Sequence, residues 1–125
     1  MIDYLTDTNV FSEIFKGSAA VKNFVENLEN SLDATVYIEC LQGSKGNREK
    51  QIIKKYPSKF PLFHLTPNIS KRTISLIDRY SNSHGLLLPD AQVAAVCLEH
   101  DLTLVTYNSG DFKFINGLKW LKPDV

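Results

Sequence analysis

The sequence holds only two cysteines, one methionine and one tryptophan in 125 residues, and its formal net charge is zero. Cys40 and Cys97 are too few and too far apart for a disulfide framework or for zinc-ligand spacing, which excludes the small secreted scaffolds. No apolar run approaches the roughly 18 residues of a membrane-spanning helix. The stretch Met1–Phe11 has no basic flank and carries Asp3 and Asp7 where a signal peptide would be apolar. His64, His84 and His100 each stand apart from any cysteine or acid at ligand spacing, so a histidine-rich transition-metal site is not expected. No repeat, low-complexity tract or Gly/Ser linker divides the chain. These absences predict one domain over residues 1–125, soluble and cytoplasmic, with no membrane partner.

What is present has the proportions of a globular domain, with 43% hydrophobic and 22% charged residues. The balanced charge is unevenly spread. Residues 1–44 hold two basic side chains against seven acids, whereas residues 45–79 hold nine against two. An acidic centre with a basic flank suits a metal that attacks a polyanion; solvated helix faces give the same pattern.

The apolar spacing alternates between strand and helix periods. Strands are predicted over Ile2–Thr6, Leu32–Thr35, Leu62–Leu65 and Leu102–Thr106, with a last, edge strand over Lys119–Leu121. Between them, Val10, Phe11, Ile14 and Phe15 mark one helix face, with Thr8 or Asn9 as its cap. Ala20, Val21, Phe24, Val25 and Leu28 mark a second helix, capped by Ser18. Further helices are predicted over Val36–Gln42, over Asn47–Tyr56 with Ile52 and Ile53 as anchors, from Pro67 through Ile69, Ile74, Leu76 and Ile77, and over Pro89–His100. Alternating strands and helices predict an α/β fold with helices on both faces of a small, mostly parallel sheet of four to five strands.

Such sheets carry function where strands run into helices. Asp7 follows the first strand, and Asp111 lies in the turn after the strand Leu102–Thr106. Asp90 opens a helix, where the macrodipole favours a carboxylate. Glu39 sits among Ile38, Cys40 and Leu41 with no cationic neighbour in sequence. Singly, Asp7 and Asp90 also read as helix-start residues and Asp111 as turn chemistry. Together, convergent carboxylates without a lysine suit a hard divalent cation such as Mg²⁺.

The segments LTDTNVFSEIF, YIECLQG, LPDAQVAAVCLEHDLTLVTYNSGDF and LKWLKP resemble the PIN domain, and within it the VapC-type toxin ribonucleases of type II toxin–antitoxin pairs. The resemblance spans the chain, although residues 45 to 85 match only in length and helical character. It implies a PIN-like three-layer α/β/α sandwich and places the family's four acids on Asp7, Glu39, Asp90 and Asp111, with Thr106 and Asn108 in the polar shell. It implies Mg²⁺- or Mn²⁺-dependent endoribonuclease activity, an RNA substrate and inhibition by a cognate antitoxin; a homodimer is expected as well. Tyr107 stands where such proteins often carry Arg or Asn, and Cys-Leu-Gln-Gly follows Glu39 in place of the usual apolar and aromatic residues.

On this reading Asp7, Asp90 and Asp111 hold the metal, and Glu39 either orients water or binds a second ion. Thr8, Thr106 and Asn108 fix the carboxylates. Arg48, Lys54 and Lys55 guide the RNA backbone, and Tyr107 stacks on an unpaired base or simply packs near the sheet end. Phe11, Phe15 and Phe24 exceed the visible needs of the core and suggest an antitoxin groove. Two alternatives remain: a catalytically silent PIN-like RNA- or protein-binding module, and a haloacid dehalogenase-like phosphatase, which needs a second Asp two residues after the first, where Asn9 stands.

Overall fold

The computed structural model describes residues 1–125. Five strands, β1 (Tyr4–Thr6), β2 (Asn30–Asp33), β3 (Leu62–Phe63), β4 (Thr103–Val105) and β5 (Lys119–Leu121), form one sheet in the order β3-β2-β1-β4-β5. Every neighbouring pair is parallel. In register, Leu5 faces Ser31 on one side and Leu104 on the other. The chain winds outward from β1 through β2 to β3, then crosses back to place β4 on the other side of β1. The strand order therefore reverses between β1 and β4, and the loops leaving their carboxyl ends open a crevice there.

Helices α1 (Thr8–Phe15), α2 (Ala19–Glu26), α3 (Ala34–Gln42), α4 (Asn47–Lys55), α5 (Pro67–His84) and α6 (Leu88–His100) connect the strands. Two apolar clusters show how they cover the sheet. The main core joins Leu5, Leu32 and Leu104 to α3, α5 and α6. A smaller one joins Val105 to Val10, Val21 and Val25 of the first two helices. Consecutive strand residues point to opposite faces, so Leu104 and Val105 put these clusters on opposite sides of the sheet. The result is the three-layer α/β/α arrangement expected from the sequence.

Local chemistry sets most boundaries. Thr66 caps α5 through the Ile69 amide, Pro67 occupies its first position, and Gly85 ends it with φ at 69°. Helix α6 is buried on nearly every side, and its alanines Ala91, Ala94 and Ala95 let neighbouring backbone approach. No helix is long and apolar enough to cross a membrane.

Several expectations need correction. The second strand begins two residues earlier than predicted and ends at Asp33, because Thr35 is already helical. Asn30 and Ser31, which precede the predicted strand, lie buried in the sheet. Thr6 Oγ1 donates to Asn30 Oδ1 at 2.6 Å, and Ser31 Oγ donates to the Tyr4 carbonyl at 2.7 Å. The first helix is capped by Asp7, not by Thr8 or Asn9, since the Asp7 carboxylate accepts the Thr8 amide. The first, third and fourth strands are shorter than predicted. Of the two anchors in α4, Ile53 is buried against the core and Ile52 faces solvent, as does Ile74 in α5. Phe11 is fully buried among Phe15, Tyr56 and Phe60, so it is a core residue and not part of an exposed groove.

Candidate metal centre

The crevice between β1 and β4 gathers the acids. Asp7 leaves β1 and is almost fully buried. Its Oδ1 accepts the Thr8 amide at 2.8 Å, and its Oδ2 accepts from Thr106 Oγ1 at 3.0 Å and from Asn9 Nδ2 at 3.2 Å. Thr106, fully buried at the end of β4, also accepts from Asn9 Nδ2 at 3.0 Å and from the Asn108 amide at 3.1 Å. Asn9 Oδ1 in turn accepts the Tyr107 amide at 3.0 Å. This network fixes the Asp7 carboxylate in one orientation and ties it to the loop after β4.

Glu39 reaches the same place from the middle of α3, where Thr8 Oγ1 donates to its Oε1 at 2.8 Å. Asp90 arrives in the first turn of α6. A polar cavity of about 300 Å³ is lined by Asp7, Glu39 and Asp90 with Thr8, Asn9, Ser12 and Asn108. No apolar and no cationic side chain lines it.

Carboxylates gathered in a buried cavity without a basic partner hold their protons more tightly. Burial pushes the Asp7 carboxyl up to about 6; hydrogen bonds from Thr8 and Thr106 oppose the rise, and the charges of Glu39 and Asp33 add to it. Asp90 also rises to about 6, chiefly through burial and then through Asp7, Asp111 and Glu39.

The structure adds an acid that sequence reading missed. Asp33 leaves β2 as Asp7 leaves β1, is fully buried, and caps α3 by accepting the Val36 amide at 2.9 Å. Its Oδ2 has no hydrogen-bond partner, and burial, more than any neighbouring charge, raises its pKa. The signal was available, since an Asp placed between strand and helix occurs at both positions. Asn9 and Ser12 were missed as lining residues too; one turn of α1 separates them and puts both on the cavity side.

Other expected site residues lie further out. Asp111 is exposed in a short 3-10 turn (Ser109–Asp111); it raises the Asp90 pKa but does not line the cavity. Asn108 is at the mouth of the cavity, and Tyr107 is partly exposed beside it. Arg48, Lys54 and Lys55 are exposed on α4, and none lines the acid cavity.

A family model described as the PIN domain matches residues 4–117. The chain belongs to the PIN-domain family. Solved structures agree with that placement. A toxin–antitoxin complex from Klebsiella pneumoniae is 28% identical, with a TM-score of 0.79 over 93% of this chain and 95% of that one. VapBC2 from Rickettsia felis, bound to a DNA fragment from its promoter, is 21% identical with a TM-score of 0.81 over 97% and 98% of the two chains. DNA-bound VapBC from Salmonella typhimurium is 15% identical with a TM-score of 0.84 over 98% of each. No curated protein matches.

The donor set of this PIN domain fits a hard divalent cation. The cavity offers only oxygen ligands, its acids raise one another's pKa, and a buried carboxylate oxygen stands unpartnered nearby. No three acid, histidine or cysteine side chains close round a point tightly enough to enclose an ion alone.

Proposed function

We propose that this PIN domain is a metal-dependent endoribonuclease, hydrolysing RNA phosphodiester bonds in the cytoplasm as the toxin of a toxin–antitoxin pair. The observation that carries this reading is the cavity lined by three acids and no basic side chain, in which Asp7 and Asp90 are both pushed up to about 6. Asp7 and Asp90 would hold Mg²⁺ or Mn²⁺ there, and Asp111, which lies outside the cavity lining but acts on Asp90 through its charge, would join them. When bound, the ion supplies Lewis-acid chemistry, drawing charge from a phosphate oxygen and lowering the pKa of water in the site.

The protein's own groups do the rest. Thr106 and Asn9 hold Asp7 Oδ2, and the Thr8 amide holds Oδ1, so the ligand orientation exists before the ion arrives. Thr8 pins Glu39 through Oε1, which leaves Oε2 to take a proton from attacking water or to contact a second ion. Arg48, Lys54 and Lys55, at the surface of α4, attract the polyanion from a distance.

Two partners follow. No basic side chain lines the acid cavity, and an antitoxin arginine inserted there can bridge two carboxylates. Half-buried Phe15, on the same helix as the lining residues Asn9 and Ser12, and half-buried Phe24 on α2 offer apolar contacts to such a partner. The exposed apolar side chains Ile74, Leu87 and Leu88 offer a surface for a second copy.

The test is cleavage of single-stranded RNA with Mg²⁺ or Mn²⁺ and with EDTA as control, on the parent, Asp7→Asn and Asp90→Asn. Metal-dependent cutting by the parent and loss of at least about 100-fold in each variant are expected. Equal cutting by either variant removes that residue from the site, and cleavage that survives EDTA refutes the metal mechanism.

A further inference from the structure

The acid cavity does not end at the carboxylates. Asn9 is shared with an adjoining cavity of about 500 Å³ that also carries Glu13 and Tyr107. Ser12 is shared with another, of about 230 Å³, lined by Lys16 and Lys45 among others. Asn9, Ser12, Glu13 and Lys16 follow the i, i+3, i+4, i+7 spacing of one helix face, so one side of α1 connects all three spaces. From Asn9 to Lys16 that side runs about 10 Å.

The two flanks differ in chemistry. On one, Tyr107 presents a partly exposed ring, held at its backbone by Asn9. Glu13 lines the same cavity as this ring. On the other flank, two lysines stand against one acid, Glu49, which is already accepting the Lys45 amide. Lys16 pairs with Glu13 at 3.3 Å, but its side chain is 73% exposed and free to exchange that partner for a phosphate. An acid cavity repels every phosphate except the one its metal holds, so a strand crossing it needs cations beside it. Lys16 and Lys45 are the cations on the adjoining surface, and only Lys45 comes from the basic segment 45–79.

We infer that these three cavities are one substrate groove: a single RNA strand crosses the acids with a flanking phosphate between Lys16 and Lys45 and an unpaired base stacked on Tyr107. Tyr107 is then a specificity determinant beside the scissile bond, since stacking demands a base that is free of pairing. This inference rests on the RNA-cleaving reading above, and the experiment separates the two.

Cleavage kinetics and RNA binding are compared for the parent, Lys16→Gln/Lys45→Gln and a charge-matched control, Lys119→Gln/Lys122→Gln. Loss of two phosphate contacts lowers the slope of log affinity against log salt by about 1.4 for a single strand. At 0.15 M salt that slope change corresponds to a roughly ten-fold rise in KM, with kcat unchanged. The control keeps the parent slope. For the other flank, Tyr107→Ala and Tyr107→Phe are assayed on mapped substrates, intact or abasic at the nucleotide beside the cut. Tyr107→Ala is expected to lose about ten-fold in kcat/KM on intact RNA and nothing on abasic RNA, and Tyr107→Phe to restore the intact value.

An unchanged slope in Lys16→Gln/Lys45→Gln, or an equal Tyr107→Ala effect on both substrates, overturns the groove while leaving the nuclease reading in place. An unchanged RNA slope with lost antitoxin binding assigns the lysines to the protein partner, and also overturns it. A parent that neither binds nor cuts RNA with either metal refutes the nuclease reading, and the groove falls with it.

Discussion

Replacing Asp7 by Asn in the metal-free protein separates the electrostatic cost of the acid pocket from its structural role. The Asp7 carboxyl moves from 3.8 to about 6, mainly through burial, with Glu39 and Asp33 adding to it against the Thr8 and Thr106 hydrogen bonds. At about 1.4 kcal/mol per unit, this is worth about 3 kcal/mol. Because the folded value lies above the unfolded one, the native state holds the proton more tightly than the unfolded chain does. The associated stability is fully present below pH 3.8 and is lost as pH rises through about 6.

An Asn at position 7 has no charge to develop, so it escapes that loss. It keeps an acceptor for the Thr8 amide but turns an NH₂ toward Thr106 and Asn9, which donate to Oδ2 in the parent. That mismatch costs about 1–2 kcal/mol. The expected result is a change of sign: Asp7→Asn is less stable than the parent near pH 4 and more stable by about 1–2 kcal/mol at pH 7.5. Urea denaturation in EDTA, followed by circular dichroism from pH 4 to 8, measures it. Added Mg²⁺ should stabilise the parent and not the variant, narrowing the gap at pH 7.5. A destabilisation of the same size at every pH would refute the argument, because it would mean that Asp7 acts only as the cap of α1.

Thr106→Val removes a donor from Asp7 without changing shape, so metal affinity measured by calorimetry should fall about 10–100-fold, and Thr106→Ser should restore it. Phe11→Ala opens a cavity in the aromatic cluster with Tyr56 and Phe60 and should cost about 3–5 kcal/mol in chemical denaturation; a loss under 1 kcal/mol would contradict its core role. Ile74→Glu should leave the monomer's stability nearly unchanged and shift a dimer to monomer in sedimentation, whereas an unaltered dimer would place the interface elsewhere.

The sequence by itself determined the elements and their class, because those depend on neighbours a few residues apart. Pro67 and Gly85 bound α5, apolar spacing marks the buried faces of α1 and α2, and the strand Lys119–Leu121 lies where its pattern places it. It also marked Asp7 and Asp90 at the starts of helices, and Glu39 on a helix with no cationic neighbour in sequence. Tertiary structure alone decided which of these acids share a cavity, since the strand order puts residues 7, 39 and 90 at one crevice and leaves Asp111 outside its lining. It also showed Asn30 and Ser31 to be strand interior, because their hydrogen-bond partners, Thr6 and Tyr4, lie more than twenty residues away. Asn9 and Ser12 joined the cavity lining, and Asp33 came near enough to act on Asp7, for the same reason: caps and apolar periods are written locally, but convergence depends on how parallel strands are ordered across the sheet.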